Sequence, residues 1–260
     1  MDKERFTKAQ KLIEQFKLDI NFKKRLKKEY FGDFHYKGID NAYIEWISHG
    51  KDYIHDQDYI YLVVTVDKKT SYFNLQGEQF IDLWFDYAQN VFCGALAKVI
   101  IGGKRNMLKT DFTLLWDKPL DEWFDEIYSE NASDDFSIVS IGNKKNIFIY
   151  DPISGALCYD APLSEWFDSI KRMNVGSRQL FKVSKLDPKT NKPRFNLMPK
   201  KKKSKLIWDK PVEQWFKDIN LTYDEQSGKK NVVLAKHSDN QWKEYNIGNN
   251  LKLCSVNGNE

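Results

Sequence analysis

Asp40, Asp67 and Lys69 are the residues of this 260-residue chain whose types suit phosphodiester chemistry. Two carboxylates can bind Mg2+, which keeps several of its waters and polarises a phosphoryl oxygen. A lysine beside them orients the attacking water and counters the charge that develops. Asp40 ends the segment GID, and Asp67 and Lys69 lie in VVTVDKK, after a run of β-branched residues. On this reading Asp40 and Asp67 are the metal ligands, Mg2+ is the cofactor, and Lys69 completes the catalytic set. The competing reading makes Asp67-Lys68-Lys69-Thr70 a polar hairpin turn.

Other chemistries have less support in the sequence. The four histidines are His35, His49, His55 and His237, and no two of them have the spacing of a helical ligand pair. The first three lie among Asp33, Asp52, Asp56 and Asp58 without forming a recognisable zinc pattern. Cys93, Cys158 and Cys254 are odd in number and spaced for neither zinc nor a disulfide framework, which points to a reducing compartment. Gly102-Gly103-Lys104 lacks the frame of a phosphate-binding loop, and no nucleophile elbow or dinucleotide fingerprint is present.

The elements that must position these residues follow from periodicity. Phe6, Ala9, Leu12, Ile13, Phe16 and Ile20 recur at three- and four-residue steps, which predicts a helix over 4–29. YIYLVVTV (59–66) predicts a buried strand, and SYFNL a second one after a turn. GEQFIDLWFDYA (77–88) sets Phe80, Leu83, Trp84 and Tyr87 on one helical face, and GALAKVII (94–101) predicts another buried strand.

One phrase recurs downstream. WDKPLDEWF begins at Trp116, YDAPLSEWF at Tyr159 and WDKPVEQWF at Trp208. Leu120, Trp123, Phe124 and Ile127 in the first copy fit a helical stripe, as do Leu163, Trp166, Phe167, Ile170 and Val212, Trp215, Phe216, Ile219. Proline is tolerated in a first helical turn, and the preceding aspartate suits a cap. Strand-like FSIVSIG, NIFIYDP, LFKVSKL and PRFNLMP separate the copies. The expected fold is therefore α+β: a mixed sheet core with an N-terminal helix, followed by repeated β-β-β-α modules. Residues 1–128 form the first expected domain and 129–260 the second.

The run from Tyr59 to Ile101 resembles the core of RecU-type and archaeal Holliday-junction resolvases, within the PD-(D/E)xK nuclease superfamily. The resemblance covers about the first half of the chain. It implies that Asp67-x-Lys69 stands for the family's Glu-x-Lys, Gln79 for its helical glutamine and Asp40 for the upstream metal-binding aspartate. Glu14 then takes the place of an additional acidic residue that some members use. DFTLLWDKPLDEWF resembles the strand and helix that close the family core. Asp67 and Lys69 depart from the pattern by lying at the very end of their strand.

Charge bears on the partner. The net charge is +4 and the pI about 8.7, so the chain is mildly basic. The positive charge gathers at Lys23, Lys24, Arg25, Lys27 and Lys28, and again at Lys200, Lys201, Lys202 and Lys203. Such runs are solvated faces or phosphate contacts. The expected function is a nucleic-acid-binding protein acting on DNA or RNA, with Mg-dependent cleavage as its activity and a homodimer as a compatible state. The alternative is a non-enzymatic phage or plasmid protein that binds and inhibits a host defence protein. The start MDKERFTKAQ lacks a signal peptide's apolar core, and no run approaches the ~18 apolar residues of a membrane span. A cytoplasmic location without membrane contact is expected.

Overall fold

The apolar stripe of the N-terminal segment does form a helix, α1 (Lys3–Leu18). Asp2 caps it, accepting from the Arg5 backbone N–H at 3.2 Å, and Glu4 and Lys17 complement the helix dipole. Ala9, Leu12, Ile13 and Phe16 are buried against Ile44, Leu62, Val64, Val66 and Phe73. The contact with the sheet is close at Gly38. A Cβ there would lie 2.8 Å from the Ala42 carbonyl oxygen and 2.2 Å from Leu12 Cδ1.

The computed structural model describes residues 2–19, 32–38, 41–52, 57–89, 96–109, 111–128, 136–149, 165–175, 178–199, 206–207, 210–221, 232–237, 239–247 and 253–255. Among these, everything beyond α1 that is regular is β-sheet, apart from two three-residue 3-10 turns. The first sheet runs β1 (Gly32–Lys37), β2 (Ala42–Asp52), β3 (Gln57–Val66), β4 (Lys69–Asn74). The second runs β5 (Tyr87–Ala88), β6 (Ala97–Ile101), β7 (Lys104–Leu108). The third contains β8 (Glu126–Tyr128), β9 (Phe136–Ile141) and β10 (Lys144–Ile149). The fourth contains β11 (Ser169–Val175), β12 (Arg178–Leu186) and β13 (Pro193–Pro199). The fifth runs β14 (Asp218–Leu221), β15 (Val232–Lys236), β16 (Trp242–Ile247), β17 (Leu253–Ser255). In every sheet, strands adjacent in sequence are adjacent in space.

This overturns the α+β expectation. Among the described residues no strand pair is parallel, so the mixed sheet of a nuclease core is absent, and the repeated module carries no α-helix. Residues 77–88 form bends, two isolated bridges and β5 rather than a helix. The helical stripe of the repeat is a 3-10 turn of three residues, Leu120–Glu122 in the first copy and Val212–Gln214 in the third. The helix stops because the next residue is extended: Trp123 has φ −67° and ψ 163°, and Trp215 has the same values. The phenylalanine after it pairs with a strand, and the isoleucine three residues on enters one. Spacing of i, i+3 and i+4 thus arises from a tight turn followed by extended chain.

Two compact units divide the described residues between Ile127 and Tyr128. The first holds two cores, one under α1 and one built from Tyr61, Val63, Tyr72, Phe85, Val99, Leu108, Phe112 and Trp123. The second also holds two, one around Phe136, Phe167, Phe181 and Trp215 and one around Phe216, Ile219, Val233 and Tyr245. No helix among the described residues is long and apolar enough to cross a membrane.

Candidate functional site

The lysine and aspartate types singled out in the sequence are deployed in a repeated structural device. The phenylalanine of each Trp-Phe pair makes an isolated antiparallel bridge to the last strand of the preceding hairpin: Phe124 with Arg105, Phe167 with Lys145, Phe216 with Phe195. Phe85 does the same with Thr70. Trp84-Phe85-Asp86 is therefore a fourth member of the series, hidden in the sequence because no Pro-x-x-x segment precedes it. An aspartate follows three of the four phenylalanines, and each pairs with the lysine that opens the bridged strand: Lys69 with Asp86, Lys104 with Asp125 at 2.8 Å, Lys144 with Asp168.

Two of these aspartates, Asp86 and Asp168, also reach forward. Asp86 accepts from the Gly102 backbone N–H at 2.6 Å and donates its own N–H to the Ile100 carbonyl at 2.7 Å. Asp168 accepts from the Leu186 N–H at 2.7 Å and donates to the Ser184 carbonyl at 2.8 Å. Each of these two carboxylates therefore links the sheet behind it to the sheet ahead. The Lys69 ammonium and the Gly102 N–H together hold the Asp86 carboxyl below the usual carboxylate range.

Buried side-chain amides complete the device. Asn106, on β7, donates to the Trp116 carbonyl at 2.8 Å, and its oxygen accepts the Trp116 N–H at 3.2 Å. Asn146, on β10, donates to the Glu165 carbonyl at 3.3 Å. Both asparagines are fully buried, as is Asn196 at the corresponding place on β13. In the first sheet Ser71 takes that place, and Gln79 donates to its hydroxyl at 2.9 Å and to the Leu83 carbonyl at 3.2 Å. The indole N–H groups of Trp123 and Trp215 donate back across their turns to Lys118 and Lys210 carbonyls, at 2.9 and 2.8 Å.

The predicted site residues are distributed as follows. Gln79 staples the first connection and Lys69 ties the first sheet to Asp86. Asp67 occupies the β3–β4 turn, where its carboxylate accepts from the Lys8 ammonium at 3.1 Å and its N–H donates to the Asn41 carbonyl at 3.2 Å. Asp67 and Lys69 thus have different partners. Glu14 is exposed on α1 and pairs with Lys17 at 2.8 Å. Asp40, the run Lys23, Lys24, Arg25, Lys27, Lys28 and the run Lys200, Lys201, Lys202, Lys203 lie outside the described residues. Among the described residues no three His, Cys, Asp or Glu side chains are grouped to hold a metal ion. Of the two expected Mg2+ ligands only Asp67 is described, and its carboxylate lies on the Lys8 ammonium, which also pairs with Glu4.

Asp67 does line a cavity, of about 940 Å3, at the end of the first sheet. Lys37, Gly38, Asn41, Tyr43 and Lys68 line it with Asp67. Lys8 makes ion pairs with both Asp67 and Glu4, and the hydrogen bond to Asp67, its largest influence, raises the ammonium's pKa. The carboxylate in the wall is thereby countered.

No protein-family model matches the chain, and no curated protein matches it. Among solved structures it is similar to Hsv2 of Kluyvelomyces marxianus at 14% identity and a TM-score of 0.28, over 72% of this chain and 55% of that one. Hsv2 of Kluyveromyces lactis gives 13% identity and a TM-score of 0.27, over 74% and 57%. BBS1N, solved in complex with ARL6DN, gives 11% identity and a TM-score of 0.30, over 85% and 75%. The chain spans little more than half the length of the two Hsv2 chains. At these TM-scores no property of those proteins is carried over.

Proposed function

We propose that this chain is a non-enzymatic binding protein, a serial scaffold of antiparallel sheets whose partner is another protein. One observation carries the reading. Lys69, the lysine best placed for nuclease chemistry, is the first of three equivalent Lys–Asp ties, and in the other two the lysine likewise opens a strand and pairs with the aspartate after a bridged phenylalanine. Its role is that of its counterparts. Partner contact is assigned to the large apolar side chains left on strand surfaces, Tyr87, Tyr128 and Trp242, which are 50%, 57% and 43% exposed. Aromatic residues of this kind dominate the energetics of protein interfaces. A phage or plasmid inhibitor of a host protein has such a surface and needs no catalytic motif.

Two assays on the purified chain test this. In the first, duplex, branched and single-stranded DNA are incubated with Mg2+ at two salt concentrations, alongside Asp67→Ala and Lys69→Ala. We expect no cleavage and no strongly salt-dependent binding. In the second, a partner retained on the immobilised chain is to be lost with Tyr128→Ala or Trp242→Ala while the folded state persists. Cleavage abolished by Asp67→Ala would sink the proposal in favour of the nuclease.

A further inference from the structure

We infer that the outward face of the fifth sheet, at Leu234, Lys236, Trp242 and Glu244, holds a second copy of this chain in a weak symmetric dimer. Inner strands of other sheets are buried on both faces. On β3, Leu62 and Val64 enter one core and Tyr61 and Val63 another. On β12, Phe181 and Val183 enter one core and Leu180 another. β15 differs. Val233 and Ala235 are fully buried, whereas Leu234 and Lys236, which alternate with them, are only partly buried. Residues two apart on a strand share a face, so the fifth sheet turns one face into a core and the other outward. Trp242 stands on that outward face, 43% exposed, with Glu244 exposed two residues on.

The register of β15 on β16 arranges these four side chains. Leu234 is opposite Glu244, and Lys236 is opposite Trp242. Leu234 and Trp242 therefore occupy one diagonal of the quartet, and Lys236 and Glu244 the other. A two-fold axis along the apolar diagonal, in the plane between two such faces, sets Leu234 on Leu234 and Trp242 on Trp242. It also sets each Lys236 on Glu244 of the other copy. An isologous contact requires this self-complementarity. A face built for a foreign acidic or basic surface would carry one sign of charge, whereas this quartet carries one of each. Neither Lys236 nor Glu244 makes an ion pair among the described residues, and the Lys236 ammonium lies over the Trp242 ring at 5.9 Å. Asp218, the other cross-strand neighbour of Lys236, is taken by Lys182 at 2.7 Å. Four strands spaced by about 4.8 Å and roughly five residues long give a face of about 300 Å2 in plan. A stable complex buries about 800 Å2 on each partner, so the dimer is weak and forms at high concentration. The inference rests on the protein-partner reading and names a second copy of the chain as the partner met at Trp242.

Sedimentation velocity of the full chain, from about 5 to about 500 μM, tests the inference. The variants are Lys236→Glu, Glu244→Lys, Trp242→Ala and, as a control, Lys171→Ala at an exposed position on β11. We expect a monomer–dimer equilibrium for the parent and for Lys171→Ala. Each charge reversal opposes like charges at both symmetric contacts and is expected to weaken the dimer about tenfold or more. Trp242→Ala is expected to weaken it by a similar factor. Mixed in equal amounts, the two charge-reversal variants oppose unlike charges at both contacts, so the mixture is expected to dimerise about as the parent does. Melting temperatures equal to the parent's show that a lost dimer is not lost folding. The inference is overturned if the parent stays monomeric throughout, if either charge reversal leaves association unchanged, or if the mixture stays monomeric. A monomeric parent that still retains a foreign protein, lost with Tyr128→Ala, overturns the inference and leaves the protein-partner reading standing. DNA cleavage by a chain that dimerises in this way overturns that reading and leaves the contact in place.

Discussion

Lys68, in the β3–β4 turn, has φ 63°, in the left-handed region, and this has a measurable consequence for stability. A Cβ in the left-handed region costs about 1–2 kcal/mol, and glycine escapes that cost. Lys68→Gly is expected to raise the unfolding free energy by about 1 kcal/mol in urea denaturation, with part of the gain offset by glycine's greater freedom when unfolded. The same substitution at a residue with ordinary φ would destabilise. Asp187 makes a second residue-scale prediction. It is buried, accepts the Lys189 N–H at 2.9 Å and the Thr190 N–H at 3.3 Å, and takes Arg194 Nε and Nη2 at 3.1 and 3.0 Å. The Lys189 N–H above all, with the Arg194 guanidinium and Thr190, lowers its pKa to about 2. An unfolded aspartate titrates near 3.9, so the folded state binds the proton less readily. The stabilisation is complete above about pH 4 and is lost as pH falls towards about 2. Denaturation measured across that window is expected to show a shallower pH dependence for Asp187→Asn than for the parent, with the remaining slope including the share of Asp86. Equal slopes would mean that Asp187 is not held this way.

At the scale of elements, the repeated phrase separates two readings of one pattern. A helix would bury Leu120 with Trp123 and Phe124, whereas the 3-10 turn leaves Leu120 42% exposed and buries Trp123 and Phe124 at 2% and 1%. Leu120→Ala is therefore expected to change stability by less than about 0.5 kcal/mol, as surface substitutions do. Phe124→Ala is expected to cost about 3–5 kcal/mol, as deletion of a buried aromatic does. Comparable losses at both positions would restore the helix. The strands were legible because β-branched and aromatic runs have few other uses: PRFNLMP is β13 residue for residue, and YIYLVVTV lies within β3. The helical stretch through Phe16 was legible for the same kind of reason. The connections were not, since three- and four-residue spacing does not distinguish a helix from a turn that passes into a strand. Lys69 and Gln79 were legible as polar residues near a turn, but their partners Asp86 and Ser71 follow only from the bridge at Phe85. Comparing Trp84-Phe85-Asp86 with Trp123-Phe124-Asp125 was the sequence signal that could have revealed them.

For the whole molecule, the series of Trp-Phe connections gives a chain of small sheets at intervals of about 40–50 residues, the range of repeat architectures. Each small sheet buries a face in a core that it shares with a neighbour in the same unit, and its stability includes that shared interface. Phe85 belongs to one core of the first compact unit, and Phe181 to a different core in the second. Each is fully buried, so Phe85→Ala and Phe181→Ala are each expected to cost about 3–5 kcal/mol. Because the two side chains share no cluster, the losses in the double variant are expected to add within about 0.5 kcal/mol. A pair inside one core, Tyr61→Ala with Phe112→Ala, provides the contrast. Those rings meet at 5.4 Å, and substitutions that share a contact do not add. Denaturant titration of the two cycles decides the matter. Strong coupling between Phe85 and Phe181, as large as that between Tyr61 and Phe112, would mean that the separate cores behave as a single one.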